Sequence, residues 1–325
     1  MQRTLYLHVG PQKTGTTAIQ VFFRENKQHQ IYYPVTGRWL DGAHHKLVFS
    51  QIGRQRYGDV IIPEWKVLYN KLDNELEKTD KDILISSEHA EPEFLRALRP
   101  IIVKHNFQVK IIVTFRHPLE RAASSYNQNV KDPVVGLNQL PDEFLAANQA
   151  EFKASSLYSK WRNLNPNILA LAYKDKEPLV KRFCHLLNIQ IGPQAIDEFY
   201  NQSMGGTAVA ALVAANKIFL TEEERKDFFD HLQTDTSIKM WKGNSFPFSK
   251  KACEVFLNHY QEDILWAKIV LGIDLTYGVK TTNQQFSLSE DDQAKITALF
   301  EKVAQFDAHK KLIKSVIDKF NFQGV

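Results

Sequence analysis

Residues 4–17 read TLYLHVGPQKTGTT, and this stretch contains two different patterns. Thr4 to Val9 is a short apolar run of residues that favour β-structure, and it ends at Gly10-Pro11. From Thr17 to Asn26 the apolar residues recur at helical spacing. The stretch therefore predicts a strand, a glycine-containing loop and a helix in direct succession.

The loop resembles the phosphate-binding loop of NTPases but departs from its pattern. Gly10 and Gly15 have the spacing of GxxxxGK[ST], and Thr17 stands at the Ser/Thr position. Thr16 occupies the lysine position, whereas Lys13 lies inside the loop. Backbone N–H groups in such a loop and at the helix N-terminus would cradle a phosphate. The alternative is an ordinary helix start, with Thr16 or Thr17 as the N-cap.

Three further strands are predicted along the chain, at Asp82 to Ser86, Gln108 to Phe115 and Asn167 to Tyr173. Helical patterns separate them, at Glu64 to Thr79, from Pro92, at Leu119 to Asn129 and at Glu177 to Leu187. Short strands alternating with helices predict an α/β, P-loop-like three-layer fold, with a central parallel sheet flanked by helices.

Beyond Gly192 only helical patterns follow. They cover Thr207 to Phe219, Glu222 to Leu232, Ser249 to Leu271, Glu290 to Phe306, and Ala308 to Phe320. We expect one domain over residues 1–325, with an α/β nucleotide-binding core at 1–192 and a mainly helical extension at 193–325.

Composition excludes several partners. The 325 residues include 41 Lys and Arg against 37 Asp and Glu, and a net charge of +4 is too small to indicate nucleic acid as a partner. No run reaches the roughly 18 apolar residues that a membrane span needs. The only two cysteines, Cys184 and Cys253, are far apart, which favours a reducing cytoplasm. The alternative is a catalytic domain of a membrane-anchored parent.

A second basic segment directly follows the strand that ends at Phe115. Arg116 would point from the carboxyl end of a parallel strand into the crevice where such sheets bind ligands. Ser124 comes eight residues later on the following helix, where its hydroxyl would share an anion with the guanidinium. The alternative is that Arg116 pairs with Glu120 and that Ser124 contacts a neighbouring helix.

The two segments together resemble the nucleotide signatures of sulfotransferases that use 3′-phosphoadenosine 5′-phosphosulfate (PAPS). The first is Lys13-Thr14-Gly15-Thr16-Thr17, and the second is Arg116 with Ser124. The resemblance implies that the loop binds the 5′-phosphosulfate and that the second pair binds the 3′-phosphate. The form RHPLERAASSY at 116–126 is closer to carbohydrate and bacterial sulfotransferases than to the cytosolic small-phenol type.

Two more parts of the family pattern have counterparts here. Tyr173 stands where the family has a tyrosine that contacts the adenine, and the alternative is a tyrosine that anchors the core. Lys242 and Gly243 fall where the family places a basic residue and a glycine over the 3′-phosphate.

The family's chemistry is direct in-line transfer of a sulfuryl group to an acceptor hydroxyl or amine. Lys13 would stabilise the charge on the bridging oxygen as 3′-phosphoadenosine 5′-phosphate (PAP) leaves. No metal is required. By analogy, the expected acceptor is a saccharide.

The reaction also needs a base near the transferring group. Glu88, in Ser-Ser-Glu-His after the second predicted strand, is the first candidate, and its alternative role is to complement a helix dipole. His45, in a predicted loop with His44, is the second candidate. We expect His8 to be a hydrogen-bonded core residue.

Two other functions remain open. A P-loop kinase or NTPase is disfavoured because Thr16 replaces the lysine and no clear acidic strand end is available for Mg²⁺. The second alternative is a binding protein that keeps the nucleotide pocket but has lost turnover, which the sequence does not exclude.

Overall fold

The computed structural model describes residues 2–26, 30–190, 204–238, 247–279, 288–302 and 306–321. Its contacts divide the chain into two compact units. The first unit comprises Met1–His117, Lys153–Phe199 and Glu262–Val279, and the second comprises Pro118–Phe152, Tyr200–Gln261 and Lys280–Val325.

The first unit contains a five-stranded parallel sheet, which confirms the predicted α/β class. Seven strands are present among the described residues: β1 (Thr4–His8), β2 (Ile31–Tyr32), β3 (Arg56–Tyr57), β4 (Val60–Ile61), β5 (Asp82–Ser86), β6 (Gln108–Phe115) and β7 (Ile168–Ala172). The sheet order is β2-β5-β1-β6-β7, and β3 and β4 form a separate antiparallel hairpin. Sequence reasoning missed β2, β3 and β4 because two residues are too short to show a period.

Side chains of β1 alternate between two hydrophobic cores, one on each face of the sheet. Leu5 and Leu7 belong to one core, which also includes Trp161. Tyr6 belongs to the other, together with Phe183. Since successive residues of a strand point to opposite faces, helices must cover both sides of the sheet. The three-layer prediction is therefore confirmed.

Fifteen helices lie in the described ranges: α1 (Thr16–Glu25), α2 (His45–Gln51), α3 (Trp65–Leu76), α4 (Pro92–Ala97), α5 (Arg99–Lys104), α6 (Pro118–Lys131), α7 (Pro141–Ala147), α8 (Ala154–Arg162), α9 (Leu179–Leu186), α10 (Gly206–Ile218), α11 (Glu222–Thr234), α12 (Lys250–Asn258), α13 (Gln261–Val270), α14 (Glu290–Glu301) and α15 (Phe306–Asn321). The first unit holds α1–α5, α8, α9 and α13, and the second unit holds the remainder. As far as the structure describes them, none of the helices is long and apolar enough to cross a bilayer.

One helix prediction and one loop prediction were wrong. The single helix expected at Ser249 to Leu271 is interrupted after Asn258, where buried Tyr260 stacks on Phe256 and donates a hydrogen bond to the Gln149 carbonyl at 2.5 Å. The segment around His44 and His45 was expected to be a loop, but His45 begins α2. Its short apolar pattern, HKLVFSQ, gives too little periodicity for prediction.

The order of the strands places their carboxyl ends side by side at one edge of the sheet. His8 of β1 lies opposite Ser86 of β5 and Ile112 of β6, and Phe115 lies opposite Ala172 of β7. Neighbouring strands are about 4.8 Å apart, so the segments that follow them adjoin one another. The topology thus brings the segment after β5, the loop after β1, Arg116 and Tyr173 into one row.

Candidate active site

The loop between β1 and α1 is held in a tight curl by its own atoms and by β6. The Thr14 hydroxyl donates to the Pro11 carbonyl at 2.6 Å, and the Thr114 N–H donates to the Gly10 carbonyl at 3.0 Å. Lys13 has a φ of 65° and Gly15 a φ of 82°, both in the left-handed region. A non-glycine residue at such an angle is uncommon, and local strain of this kind occurs at ligand-binding segments.

Gly15 is the N-cap of α1, and among the described residues no side chain caps the helix. The alternative in which Thr16 or Thr17 serves as an ordinary N-cap is therefore wrong. The first turn also contains no acidic residue. Because the first N–H groups of a helix have no intrahelical acceptor, this end of α1 suits an anion.

Arg116 supports the loop from the side of β6. Its Nη1 donates to the Lys13 carbonyl at 2.9 Å, and its guanidinium carbon lies 4.5 Å from the centre of the Tyr173 ring. A Cβ atom on Gly15 would lie 2.8 Å from Tyr173 Cε2, so only glycine allows this approach. The structure therefore brings Lys13, Gly15, Arg116 and Tyr173 together. The adenine role of Tyr173 stays a prediction.

The structure does not test the phosphate-binding roles predicted for three further residues. Ser124 is half-buried on α6, in the second unit, and its phosphate role stays a prediction. Lys242 and Gly243 lie outside the described residues.

Glu88 contacts the start of the loop. The Ser87 N–H donates to the His8 carbonyl at 2.9 Å, which continues the β1–β5 pairing beyond the strand ends. A Cβ atom on Gly10 would lie 2.7 Å from the Glu88 Cβ and 2.9 Å from its Cα. Glycine at position 10, with a φ of 79°, is thus what allows the loop and the Glu88 backbone to meet.

Each carboxylate oxygen of Glu88 faces a different partner. Oε2 accepts a hydrogen bond from Gln20 Nε2 at 2.8 Å, and Oε1 lies 3.6 Å from His45 Nε2. Gln20 is fully buried on α1, and its Nε2 also donates to the Ser86 hydroxyl at 3.1 Å. The reverse amide orientation would place a carbonyl oxygen against the carboxylate, so the carboxylate itself fixes the orientation of Gln20.

The surroundings of Glu88 favour its ionised form. Burial by itself raises the pKa of a carboxyl group, but the charge of His45 and the hydrogen bond from Gln20 outweigh burial and lower the pKa of Glu88 below its ordinary value. His89, the next residue, has its pKa lowered to about 4 by burial and by the charge of His45. The site at neutral pH therefore holds a carboxylate beside a neutral His89.

Two histidines near the site have structural roles. His44 Nδ1 accepts the Ser86 N–H at 3.1 Å, so its Nε2 must carry the proton and donate to the Pro34 carbonyl at 2.9 Å. His8 is fully buried, with Nδ1 2.8 Å from the Ser86 hydroxyl, in agreement with the expected core role. Burial lowers the pKa of both imidazoles to about 4.

Sequence reasoning missed Gln20 and Gln12. Gln20 follows Ile19 on a helix whose other buried residues include Phe22 and Phe23, and a glutamine in such a buried position signals a polar partner. Gln12, inside the loop, places its Nε2 3.2 Å from His89 Nε2. No local sequence pattern predicts the contact between Gln12 and His89, because it joins two segments that are distant in the chain.

No protein-family model matches the sequence, and no curated protein is significantly similar to it. Among solved structures, the chain is similar to mouse sulfotransferase SULT7A1 complexed with PAP, with 13% identity over 81% of this chain and 84% of the other, and a TM-score of 0.44. It is also similar to the sulfotransferase domain from the curacin biosynthetic pathway, with 13% identity over 62% of this chain and 79% of the other, and a TM-score of 0.30.

Proposed function

We propose that this chain is a sulfotransferase that moves a sulfuryl group from PAPS to an acceptor hydroxyl, on a saccharide, with Glu88 as the base. The observation that carries the proposal is the contact between Gly10 and Glu88. The β1–α1 loop, to which we assign the donor's anionic group, and a buried carboxylate therefore lie at the same edge of the sheet. Sulfuryl transfer needs both groups close together, because one must bind the donor with its leaving group while the other accepts the proton of the acceptor.

The residues of the loop fit the donor. The uncapped start of α1, the glycines at 10 and 15 and the cationic side chain of Lys13 suit a phosphosulfate. Arg116 follows β6 beside the loop and carries the planar donor group that binds phosphate oxygens well. We assign the 5′-phosphosulfate to the loop and the 3′-phosphate to Arg116, with Ser124 as its expected partner.

The reaction is a single displacement at sulfur. The acceptor oxygen forms a bond to sulfur while the bond from sulfur to the bridging phosphate oxygen breaks, and PAP leaves. Glu88 takes the proton of the acceptor hydroxyl, and Lys13 stabilises the negative charge that grows on the bridging oxygen. No covalent enzyme intermediate forms.

We choose Glu88 rather than His45 as the base because the Glu88 carboxylate is already deprotonated at neutral pH, although its lowered pKa makes it a weaker proton acceptor. The lowered pKa of Glu88 keeps its carboxylate ionised at neutral pH. His45 Nδ1 is engaged with the Ser87 hydroxyl at 2.9 Å, and its Nε2 faces Glu88. We therefore assign His45 as the residue that positions the carboxylate.

Sulfur-35 transfer from labelled PAPS to a panel of glycans and small alcohols tests this function. We expect label in at least one glycan, with release of PAP. Tight PAP binding with no labelled acceptor would instead favour a nucleotide-binding protein without turnover. Binding of ATP with Mg²⁺ in preference to PAP would favour a kinase or NTPase.

A further inference from the structure

Trp39, Phe49 and Tyr57 form a group of rings that the proposed reaction does not use, and we name these three residues the aromatic shelf. The rings of Phe49 and Tyr57 are stacked within 7° of parallel, with centroids 5.4 Å apart. Trp39 stands nearly perpendicular to both, at 6.1 Å from each. The shelf is thus a packed unit, built by α2, the hairpin and the segment that precedes them.

The aromatic shelf adjoins the proposed base. The centroid of Trp39 lies 6.2 Å from that of His45, whose Nε2 is 3.6 Å from Glu88 Oε1. The Phe49 ring lies 4.9 Å from the ring of His89. An acceptor hydroxyl that delivers its proton to Glu88 must bring the rest of the acceptor close to these residues. The shelf is therefore placed to bind the acceptor.

The exposure of the aromatic shelf suits a saccharide. Phe49 is buried beneath, whereas Trp39 and Tyr57 are half-buried and residues 52–56 are exposed. Half-buried aromatic rings with a polar tip offer an apolar surface at the edge of water. The C–H face of a sugar ring matches such a surface, while its hydroxyl groups keep their contact with solvent.

Two positively charged side chains lie against the rings of the aromatic shelf. The guanidinium carbon of Arg54 lies 4.9 Å from the centre of the Phe49 ring and 5.3 Å from that of Tyr57. Lys46 Nζ lies 5.9 Å from the centre of the Trp39 ring. Arg54 is exposed, and no carboxylate of the described residues pairs with it. An arginine held by rings in this way presents a planar donor group that fits a carboxylate.

On the basis of the proposed function, we propose that the acceptor is an acidic saccharide, whose sugar ring lies on the aromatic shelf and whose carboxylate pairs with Arg54. Neutral saccharides would meet the same rings without the ionic contact. Arg54 would then determine which acceptors the site selects, while Glu88 performs the proton transfer.

Equilibrium dialysis with PAP present tests binding independently of turnover. The two probes are a neutral glucan oligosaccharide and the same oligosaccharide oxidised to the uronic acid at C6. We expect the acidic probe to bind at least tenfold more tightly, since hydrogen bonds to charged groups are stronger than neutral ones. The Arg54→Gln variant should lose most of this preference, and the Trp39→Ala variant should bind both probes more weakly.

Arg56→Gln is the matched control, because Arg56 is also exposed and lies two residues away but pairs with Asp59 at 3.8 Å. It should keep the preference of the wild type. Where label transfer is measured, Arg54→Gln should raise KM for the acidic acceptor about tenfold with little change in kcat.

Equal binding of both probes by the wild type would overturn the proposal. The proposal would also be overturned if Arg54→Gln and Arg56→Gln lost the preference for the acidic probe to the same extent. Preferential binding of the acidic probe without any label transfer would contradict the sulfotransferase function and leave the binding site in place. Transfer to neutral and acidic acceptors with equal efficiency would contradict the acidic acceptor and leave the function in place.

Discussion

Gln20 donates a hydrogen bond from Nε2 to Oε2 of Glu88, at 2.8 Å. Gln20 lies on α1, the helix that begins at the end of the β1–α1 loop, whereas Glu88 follows β5. The contact ties the helix that would hold the donor to the carboxylate that would activate the acceptor. Because Gln20 is fully buried, the bond is shielded from water, which would otherwise compete for the carboxylate.

Replacing Gln20 by leucine should change the pH dependence of turnover. The hydrogen bond lowers the pKa of Glu88, so its loss should raise that pKa. A base must be deprotonated to act, and the acidic limb of kcat against pH should therefore move to higher pH. Steady-state rates between pH 4 and 8 check this. If kcat is reduced but the acidic limb of its pH profile does not move, Gln20 has only a structural role.

Arg116→Ala should reduce the advantage of PAP over AMP, which lacks the 3′-phosphate. A hydrogen-bonded charge pair contributes about 1.5–3 kcal/mol, so we expect PAP affinity to fall roughly 10- to 150-fold. The affinity for AMP should fall less. It should fall only because Arg116 no longer donates a hydrogen bond to the Lys13 carbonyl and so no longer supports the loop. Calorimetric titration measures both affinities.

Arg121→Ala is the control for this experiment, because the Arg121 guanidinium lies 5.1 Å from the centre of the Phe152 ring and we assign it no phosphate contact. It should bind PAP like the wild type. Equal affinity losses for PAP and AMP in Arg116→Ala would contradict the 3′-phosphate assignment.

Gly10→Ala should separate the loop from Glu88. The added Cβ atom would lie 2.7 Å from the Glu88 Cβ, so one of the two segments must move. Gly53→Ala is a matched control, since Gly53 has a similar φ of 76° but no atom within 4 Å of the added Cβ. Both variants should lose about 1 kcal/mol of unfolding free energy from left-handed strain.

Only Gly10→Ala should then lose turnover, by a factor of about 100, because displacing the loop from Glu88 by about 1 Å would misplace the reacting groups by a similar distance. Thermal unfolding and steady-state kinetics on the two variants check the prediction. Equal turnover in the two variants would show that the approach of Gly10 to Glu88 is not needed.

Buried histidines should make the protein less stable in acid. His8 and His44 have pKa values lowered to about 4 by burial, whereas both return to about 6.5 on unfolding. Between these values the unfolded chain binds more protons, so stability is lost as the pH falls from about 6.5 toward 4. The loss should reach about 3 kcal/mol for each histidine.

Urea unfolding across this pH range measures the effect. The free energy of unfolding of His44→Gln should fall less steeply with decreasing pH than that of the wild type. The variant should still be less stable at pH 7, because glutamine does not reproduce both hydrogen bonds of the imidazole. An unchanged slope in this variant would contradict the shifted pKa of His44.

The repeated alternation of apolar strands with helices was sufficient to predict the parallel sheet. Four of its five strands have bounds within a residue or so of those expected, because each has a mainly apolar centre and is bounded by polar or turn residues. The two-residue strand Ile31–Tyr32 and the short helix at His45 carry no comparable period, so sequence alone did not predict them.

The candidate site was predictable where a local motif exists and not where contacts are long-range. Lys13 and Arg116 follow strands within recognisable segments, and the structure brings them together. Gln20 and Glu88 are 68 residues apart, and their hydrogen bond depends on the order of strands in the sheet. Arg54 and Trp39 likewise meet the same rings only after the hairpin has formed.

Direct transfer assisted by Glu88 is tested by single-turnover transfer from sulfur-35 PAPS in the wild type and in Glu88→Gln. We expect the wild type to form sulfated acceptor and PAP in equal amounts, without labelled protein. Glu88→Gln should bind PAP normally but transfer about 10²- to 10⁴-fold more slowly, whereas Glu91→Gln, at an exposed neighbouring position, should match the wild type. Label on the protein, or undiminished transfer by Glu88→Gln, would contradict direct transfer assisted by Glu88.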